Sequence, residues 1–324
     1  MRWTTVILTT AGLFLLLLIA GKLYLSDESY SPANPSWDGL SALAMDDRVV
    51  PLYSYDQLQD ARPGDKLLII GPSVEYGIEE SRRLSDFLEN GGQAIVMDDF
   101  GTADDLLQSL NSPILINHTP VCQDGDYYMN YSLPLARKVA SDQLLDSVDV
   151  LAFNHPVMLQ VAGNATELVR TSNIGWLDFN DSGTLDGNET YGIYALVASA
   201  PYGKGKLFVA GDADLLINGM LAMGNNRNLL DNIMDGGTVY LDVGHGQQMT
   251  PLAHLFYVIK HHANVQLICA SIIFIAGLSS IAWGRANKNR KRGDIGTSVI
   301  RSRAVAKEER LPGTGRDTST LKKR

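Results

Sequence analysis

One stretch limits what this chain can fold into more than any other: Lys66–Leu110, KLLIIGPSVEYGIEESRRLSDFLENGGQAIVMDDFGTADDLLQSL. Leu67–Ile70 is an apolar run ended by Gly71-Pro72, the pattern of a strand buried on both faces. The next residues place Ile78, Leu84, Phe87 and Leu88 near helical spacing, with Glu79, Glu80, Arg82 and Arg83 on the opposite side. Asn90-Gly91-Gly92 stops that helix, because glycine takes the left-handed conformation after a helix end at little cost. Ala94–Met97 is a second buried strand ending in Asp98-Asp99-Phe100-Gly101, and a short helix follows. The order is a βαβ unit, so the two strands are expected to be parallel.

Two segments at the ends of the chain are uncharged. Thr4–Gly21 nearly spans a bilayer, and Ala263–Gly284 is long enough to cross one. Residues 26–262 hold 12 Lys/Arg against 32 Asp/Glu, a charge of −20, whereas residues 285–324 hold 13 against 4, or +9. By the positive-inside bias the basic end is cytoplasmic and the acidic region is extracytoplasmic. The expected organisation is a signal anchor at 1–25, a linker at 26–36 and an exported α/β domain at 37–249. A juxtamembrane helix at 250–262, a transmembrane helix at 263–284 and a basic, disordered cytoplasmic tail at 285–324 complete it. A cleaved signal peptide is the alternative for the first segment, though Leu18-Ile19-Ala20 is a poor cleavage site.

Cys122 is alone in the acidic region, so no disulfide forms within it and stability must come from its core. Five Asn-x-Ser/Thr sequons, at Asn117, Asn130, Asn164, Asn180 and Asn188, all fall in that region. Along it, Arg48–Tyr53 reads as an edge strand because its proline cannot donate to a ladder, and residues 117–147 read as polar and irregular. Tyr194–Ser199 and Lys206–Ala210 flank a hairpin turn at Pro201-Tyr202-Gly203-Lys204-Gly205, Asn225–Met234 is a helix, and Thr238–Asp242 is a last buried strand.

Open α/β sheets place ligands at the carboxyl ends of their strands. Here those ends supply Ser73, Asp98, Asp99, Asp212, Asp214 and His245 as candidate ligand-binding residues. The carboxylates with His245 could form a divalent-cation cluster and support metal-dependent hydrolysis. Asp is equally a common strand-end and helix N-cap residue, which gives the same pattern without a ligand. No phosphate loop and no GxSxG elbow is present, His261-His262 sits at the expected membrane surface, and no cofactor is called for.

Three blocks carry a family resemblance: GPSVEYGIEESRRLSDFLENGGQAIVMDDFGTADDLL, VASAPYGKGKLFVAGDADLLINGML and DNIMDGGTVYLDVGHG. Together they resemble uncharacterised, mainly prokaryotic and archaeal membrane proteins whose exported domain is similar to class I glutamine amidotransferases. The resemblance implies a flavodoxin-like α/β fold: a parallel sheet with an antiparallel hairpin portion, flanked by two transmembrane helices. It also implies partnership with MoxR-type AAA+ ATPase systems and their membrane neighbours; other envelope or membrane proteins are the expected partners, and nucleic acid is not. True amidotransferases keep a nucleophilic cysteine at a strand-to-helix elbow with a downstream His and Glu. Cys122 lies in no such elbow and no His-x-Glu pair occurs, so no catalytic residue is assigned. The expected function is therefore a non-catalytic binding or scaffold domain at the cell envelope. The acidity could alternatively be an adaptation to high salt.

Overall fold

The computed structural model describes Gly12 and residues 28–246, 277–279 and 281–285. The chain divides into two compact units, Tyr24–Tyr257 and the two chain ends together. Everything below concerns the first.

Its main sheet has nine strands in the order β1-β12-β2-β3-β11-β10-β8-β5-β6. One half is parallel: β1 (Val49–Leu52), β12 (Val239–Asp242), β2 (Lys66–Ile70), β3 (Gln93–Met97) and β11 (Gly205–Ala210). The other half is antiparallel and runs from β11 through β10 (Ala195–Tyr202), β8 (Thr166–Arg170) and β5 (Leu135–Lys138) to β6 (Val150–Ala152). A second sheet sets β4 (Ile114–Gln123) between β7 (Val157–Val161) and β9 (Gly175–Leu177). The helices are α1 (Ser41–Ala44), α2 (Ile78–Glu89), α3 (Ala103–Ser109) and α4 (Asn226–Met234).

The central strands are apolar throughout because helices or the second sheet cover both faces. Leu67, Ile69, Ala94 and Val96 join one core with Leu84, Phe87 and Leu88 of α2, Leu106 and Leu107 of α3, and Ile114, Ile116 and Leu159 of the small sheet. Leu68, Ile70, Ile95 and Met97 join the other with Leu229, Leu230 and Ile233 of α4. The glycine stop after α2 is a Schellman closure: Gly92 N–H donates to Phe87 O and Gly91 N–H to Leu88 O, with Gly91 at φ +102.

Three expectations are corrected. The domain is α/β, but the two flanking transmembrane helices are not found: among the described residues no helix is long and apolar enough to cross a membrane. Thr4–Gly21, most of Ala263–Gly284, the 250–262 helix and nearly all of the basic tail lie outside the described residues. The antiparallel portion is also half of the main sheet rather than a hairpin. Its extent was only partly legible because β10 shifts register against β8 between Ala195 and Ala198 and β5 is only four residues long, which interrupts the alternation that marks a strand. Finally, residues 28–36, read as linker, pack into the domain: Asn34 is fully buried, and its side chain donates to Glu28 O and Asp38 and accepts from Ser36 N–H.

Candidate functional site

The strand ends carry two neighbouring polar groups, one of clustered carboxylates and one around a buried histidine. Asp98, at the end of β3, is fully buried and accepts backbone N–H bonds from Asp99 (3.0 Å), Gly101 (3.0 Å) and Ala103 (2.9 Å). The last of these is the first N–H of α3, whose N-cap position is Thr102. Burial still outweighs those three donors and pushes the Asp98 carboxyl up from 3.8 to about 6. Asp212 follows β11 and is also fully buried, accepting from Asn154 N–H and Asp214 N–H at 2.7 Å each. It caps the turn of 3-10 helix at Ala213–Leu216.

Asp99, Asp212 and Asp214 lie within one another's fields. Burial raises all three carboxyls, and the neighbouring charges raise Asp212 further. Asp214 is held by Asn154 Nδ2 and by the Tyr30 hydroxyl, whose own pKa is driven up, first by burial and then by the adjacent carboxylates. Tyr30 sits at φ +57, and a Cβ on Gly71 would come within 2.6 Å of its ring, so the glycine that ends β2 makes room for it. His118 and His155, also at positive φ, rim the group. His118 Nδ1 meets Asp99 O, and His155 Nε2 lies 2.8 Å from Asp181.

His245 belongs to the second group. Its Nδ1 is 3.0 Å from Asp242 Oδ2 and its Nε2 is 3.3 Å from Glu80 Oε2. The imidazole stacks on Tyr76 at 3.9 Å between ring centroids and meets Tyr55 edge-on at 5.5 Å. Both tyrosine hydroxyls donate to Asp242 Oδ2, at 2.8 and 3.1 Å. Burial lowers the affinity of His245 for its second proton, but Asp242 and Glu80 outweigh it and the net shift is upward. Both ring nitrogens thus face carboxylates. Ser73 is exposed and enters only through its backbone N–H, which donates to His245 O at 2.7 Å.

The structure therefore brings Asp99, Asp212 and Asp214 together, leaves Asp98 as a backbone acceptor beside them, and puts Ser73 and His245 in the other group. Among the described residues no three or more His, Cys, Asp or Glu side chains are arranged to hold a metal ion. Sequence reasoning missed Tyr30, Tyr55, Tyr76 and Asn154. It also passed over Asp242 as a partner, although its i, i+3 spacing to His245 at a strand end was a readable signal. Cys122 lies near the carboxyl end of β4, opposite Trp176 of β9. Its thiol is 3.7 Å from Asp178 and burial pushes it up to about 11. Of the sequon asparagines, Asn130, Asn164, Asn180 and Asn188 are exposed and Asn117 is half-buried.

A family model described as a domain of unknown function, DUF4350, matches residues 32–234. No curated protein matches the chain. Among solved structures, the N-terminal domain of mmIFT52 is similar at 17% identity and a TM-score of 0.43, over 56% of this chain and 81% of that one. The cytoplasmic protein STM3548 from Salmonella typhimurium follows at 12% and 0.35, over 60% of this chain and 78% of that one. A β-galactosidase from Bacillus circulans sp. alkalophilus aligns at 14% and 0.31, over 52% of this chain but only 22% of its own. Likenesses of this strength leave function to be argued from the site itself.

Proposed function

The chain belongs to the DUF4350 family, a domain of unknown function, and from that premise we propose that its α/β domain is a non-catalytic binding or scaffold module. One observation carries the reading: the groups equipped for chemistry are already engaged. Asp98 and Asp212 are spent on backbone N–H groups, His245 is held between two carboxylates, and the Cys122 thiol is buried and far from its nucleophilic form. We read the sheet as amidotransferase-like in its parallel half, without the nucleophile.

What such a module offers a partner is a lobe made by loops 124–134 and 178–194. Tyr131, Trp176 and Tyr191 tie the loops together through edge-to-face contacts of 5.4 and 6.2 Å. Tyr128, Met129, Phe179 and Tyr191 stand more than half exposed on it. The two loops carry Asp124, Asp126, Asp178, Asp181, Asp186 and Glu189 and no Lys or Arg. Aromatic faces set among carboxylates suit a protein surface rich in Lys and Arg, through cation–π and Coulombic attraction. The charge asymmetry between residues 26–262 and 285–324 supports placing this partnership at the cell envelope.

A photo-crosslinking residue at Tyr128 tests the proposal, with one at the exposed Gln108 as control. The expected result is a discrete adduct from position 128 alone, weakened by Phe179→Ser and by added salt. No adduct at 128, or equal adducts at both positions, would refute it.

A further inference from the structure

The opposite end of the sheet, where the central strands β2, β3 and β11 begin, carries a cleft of about 570 Å³. Leu58 and Phe87, each buried, line it, and so do Arg62, Arg83 and Lys204 together with one carboxylate, Asp86, which faces Arg82 in an i, i+4 ion pair. The acidic domain leaves few cations uncommitted. Among the described residues of the domain, seven Arg and Lys side chains sit in ion pairs with carboxylates, and Lys66 and Lys138 donate to backbone carbonyls. The two that remain with neither kind of partner are Arg62 and Lys204; both line this cleft, and Arg62 also lines a second one with Asp60 and Asp65.

Their backbones are fixed while their charged ends are not engaged. Arg62 opens a turn closed by its own N–H to Asp65 Oδ2 at 2.7 Å and by Asp65 N–H to Arg62 O at 3.0 Å. Lys204 occupies the two-residue turn of the β10–β11 hairpin, beside Gly203 at φ +55. A helix carboxyl end attracts cations by itself, and α2 ends here. That end is already served, however. The carbonyls of Asp86, Phe87, Leu88 and Glu89 accept the backbone N–H groups of Asn90, Gly92, Gly91 and Lys204. The side-chain donors of Arg62 and Lys204 are therefore left over.

We propose that this cleft binds an amphiphilic oxyanion, a small molecule with an apolar, flat body on Leu58 and Phe87 and a carboxylate or phosphate group between Arg62 and Lys204. A planar guanidinium fork suits either group, and the volume falls in the range of small-ligand sites, roughly 300–1,000 Å³. The site is independent of the loop lobe and stands or falls without it.

The test is calorimetric titration of the full chain with 2-naphthoate and 1-naphthyl phosphate, against neutral 2-naphthol and inorganic phosphate. The two aryl anions should bind saturably at one site. 2-Naphthol and inorganic phosphate should each bind more than about tenfold more weakly, the loss expected when a hydrogen bond to a charged group or the apolar contact is missing. Arg62→Gln/Lys204→Gln should weaken aryl-anion binding by at least the same factor, and Lys204→Gln alone, on an exposed turn, gives the same direction if the double variant folds poorly. Arg137→Gln, in an ion pair elsewhere, should change nothing. Absence of saturable binding, binding indifferent to Arg62 and Lys204, or equal affinity for inorganic phosphate would overturn the proposal.

Discussion

Asp98 makes the pH dependence of this fold a quantitative matter. Its carboxyl titrates near 6 when folded and at 3.8 when exposed, so between those values the folded state binds a proton that the unfolded state does not. Stability must then fall as pH rises through that window. With these two values, the step from pH 5.0 to 7.5 removes about 1.4 kcal/mol through Asp98 alone. Asp99, Asp212 and Asp214 are raised in the same sense, and so is His245, whose contribution is present below its unfolded pKa and lost above its folded one. Asp46, held down to about 2 by Arg48, titrates well below the range and does not interfere. Wild type should thus be more stable at pH 5.0 than at 7.5 by at least the Asp98 share. Asp98→Asn removes that share, because an amide does not titrate, and any fixed cost of the lost acceptor cancels when the variant is compared with itself at the two pH values. The assay is urea unfolding of both proteins at both pH values. The drop in the variant should be smaller by about 1.4 kcal/mol, or roughly 3–6 °C if read as melting temperature for a domain of this size. Equal drops in the two proteins, or a wild type that gains stability toward pH 7.5, would refute the argument that burial dominates at Asp98.

Other expectations are as direct. Asn226 is fully buried and its amide exchanges two bonds with Ala152 and donates a third to Leu215 O; Asn226→Ala should cost about 3 kcal/mol in urea unfolding, from buried backbone groups left unpaired, and a cost under about 1 kcal/mol would show that those groups find other partners. Cys122, buried with its thiol raised to about 11, should resist an aromatic disulfide reagent at pH 8 in the folded protein and react once urea unfolds it; prompt reaction of the native protein would contradict the burial. His245→Gln should flatten the loss of stability between pH 6.5 and 8, as followed by thermal melts, since glutamine cannot gain the proton shared toward Asp242 and Glu80.

What the sequence disclosed, and what it hid, follows from the range of the forces involved. Leu67–Ile70, Ala94–Met97 and the Gly91-Gly92 stop are local patterns, since a strand covered on both faces must be apolar at every position and a helix end needs its glycine where it stops. The hairpin at Gly203-Lys204 is equally local. Tyr30 and Asn34 sit in a polar stretch broken by prolines, and nothing nearby says that Tyr30 reaches Asp214 across the sheet end or that Asn34 is buried on its own turn. Of the six named ligand candidates, the carboxylates gather as strand-end position implies. Their role as backbone acceptors is decided by Ala103 and Asn154, whose N–H groups approach only after folding.

The backbone donors at both edges of the main sheet are taken up by the chain itself. At β6 the outward groups are taken by α4: Asn225 Oδ1 accepts from Asp149 and Val150 N–H, Asn225 N–H donates to Val150 O, and Asn226 closes on Ala152 from both sides. At β1, Val239 and Val243 N–H donate to Arg48 O and Leu52 O, so alternation turns Val49, Pro51 and Tyr53 outward. Val49 N–H is bound to Asp46 O, Pro51 has none, and Tyr53 N–H donates to Gln57 Oε1. Among the described residues neither edge presents a row of free donors, which disfavours extension of the main sheet by an incoming strand. The partner proposed above would then be held by side chains rather than by pairing with the main sheet. The exposed aromatic and acidic residues of loops 124–134 and 178–194 offer that hold, and the sheet edges do not compete for it.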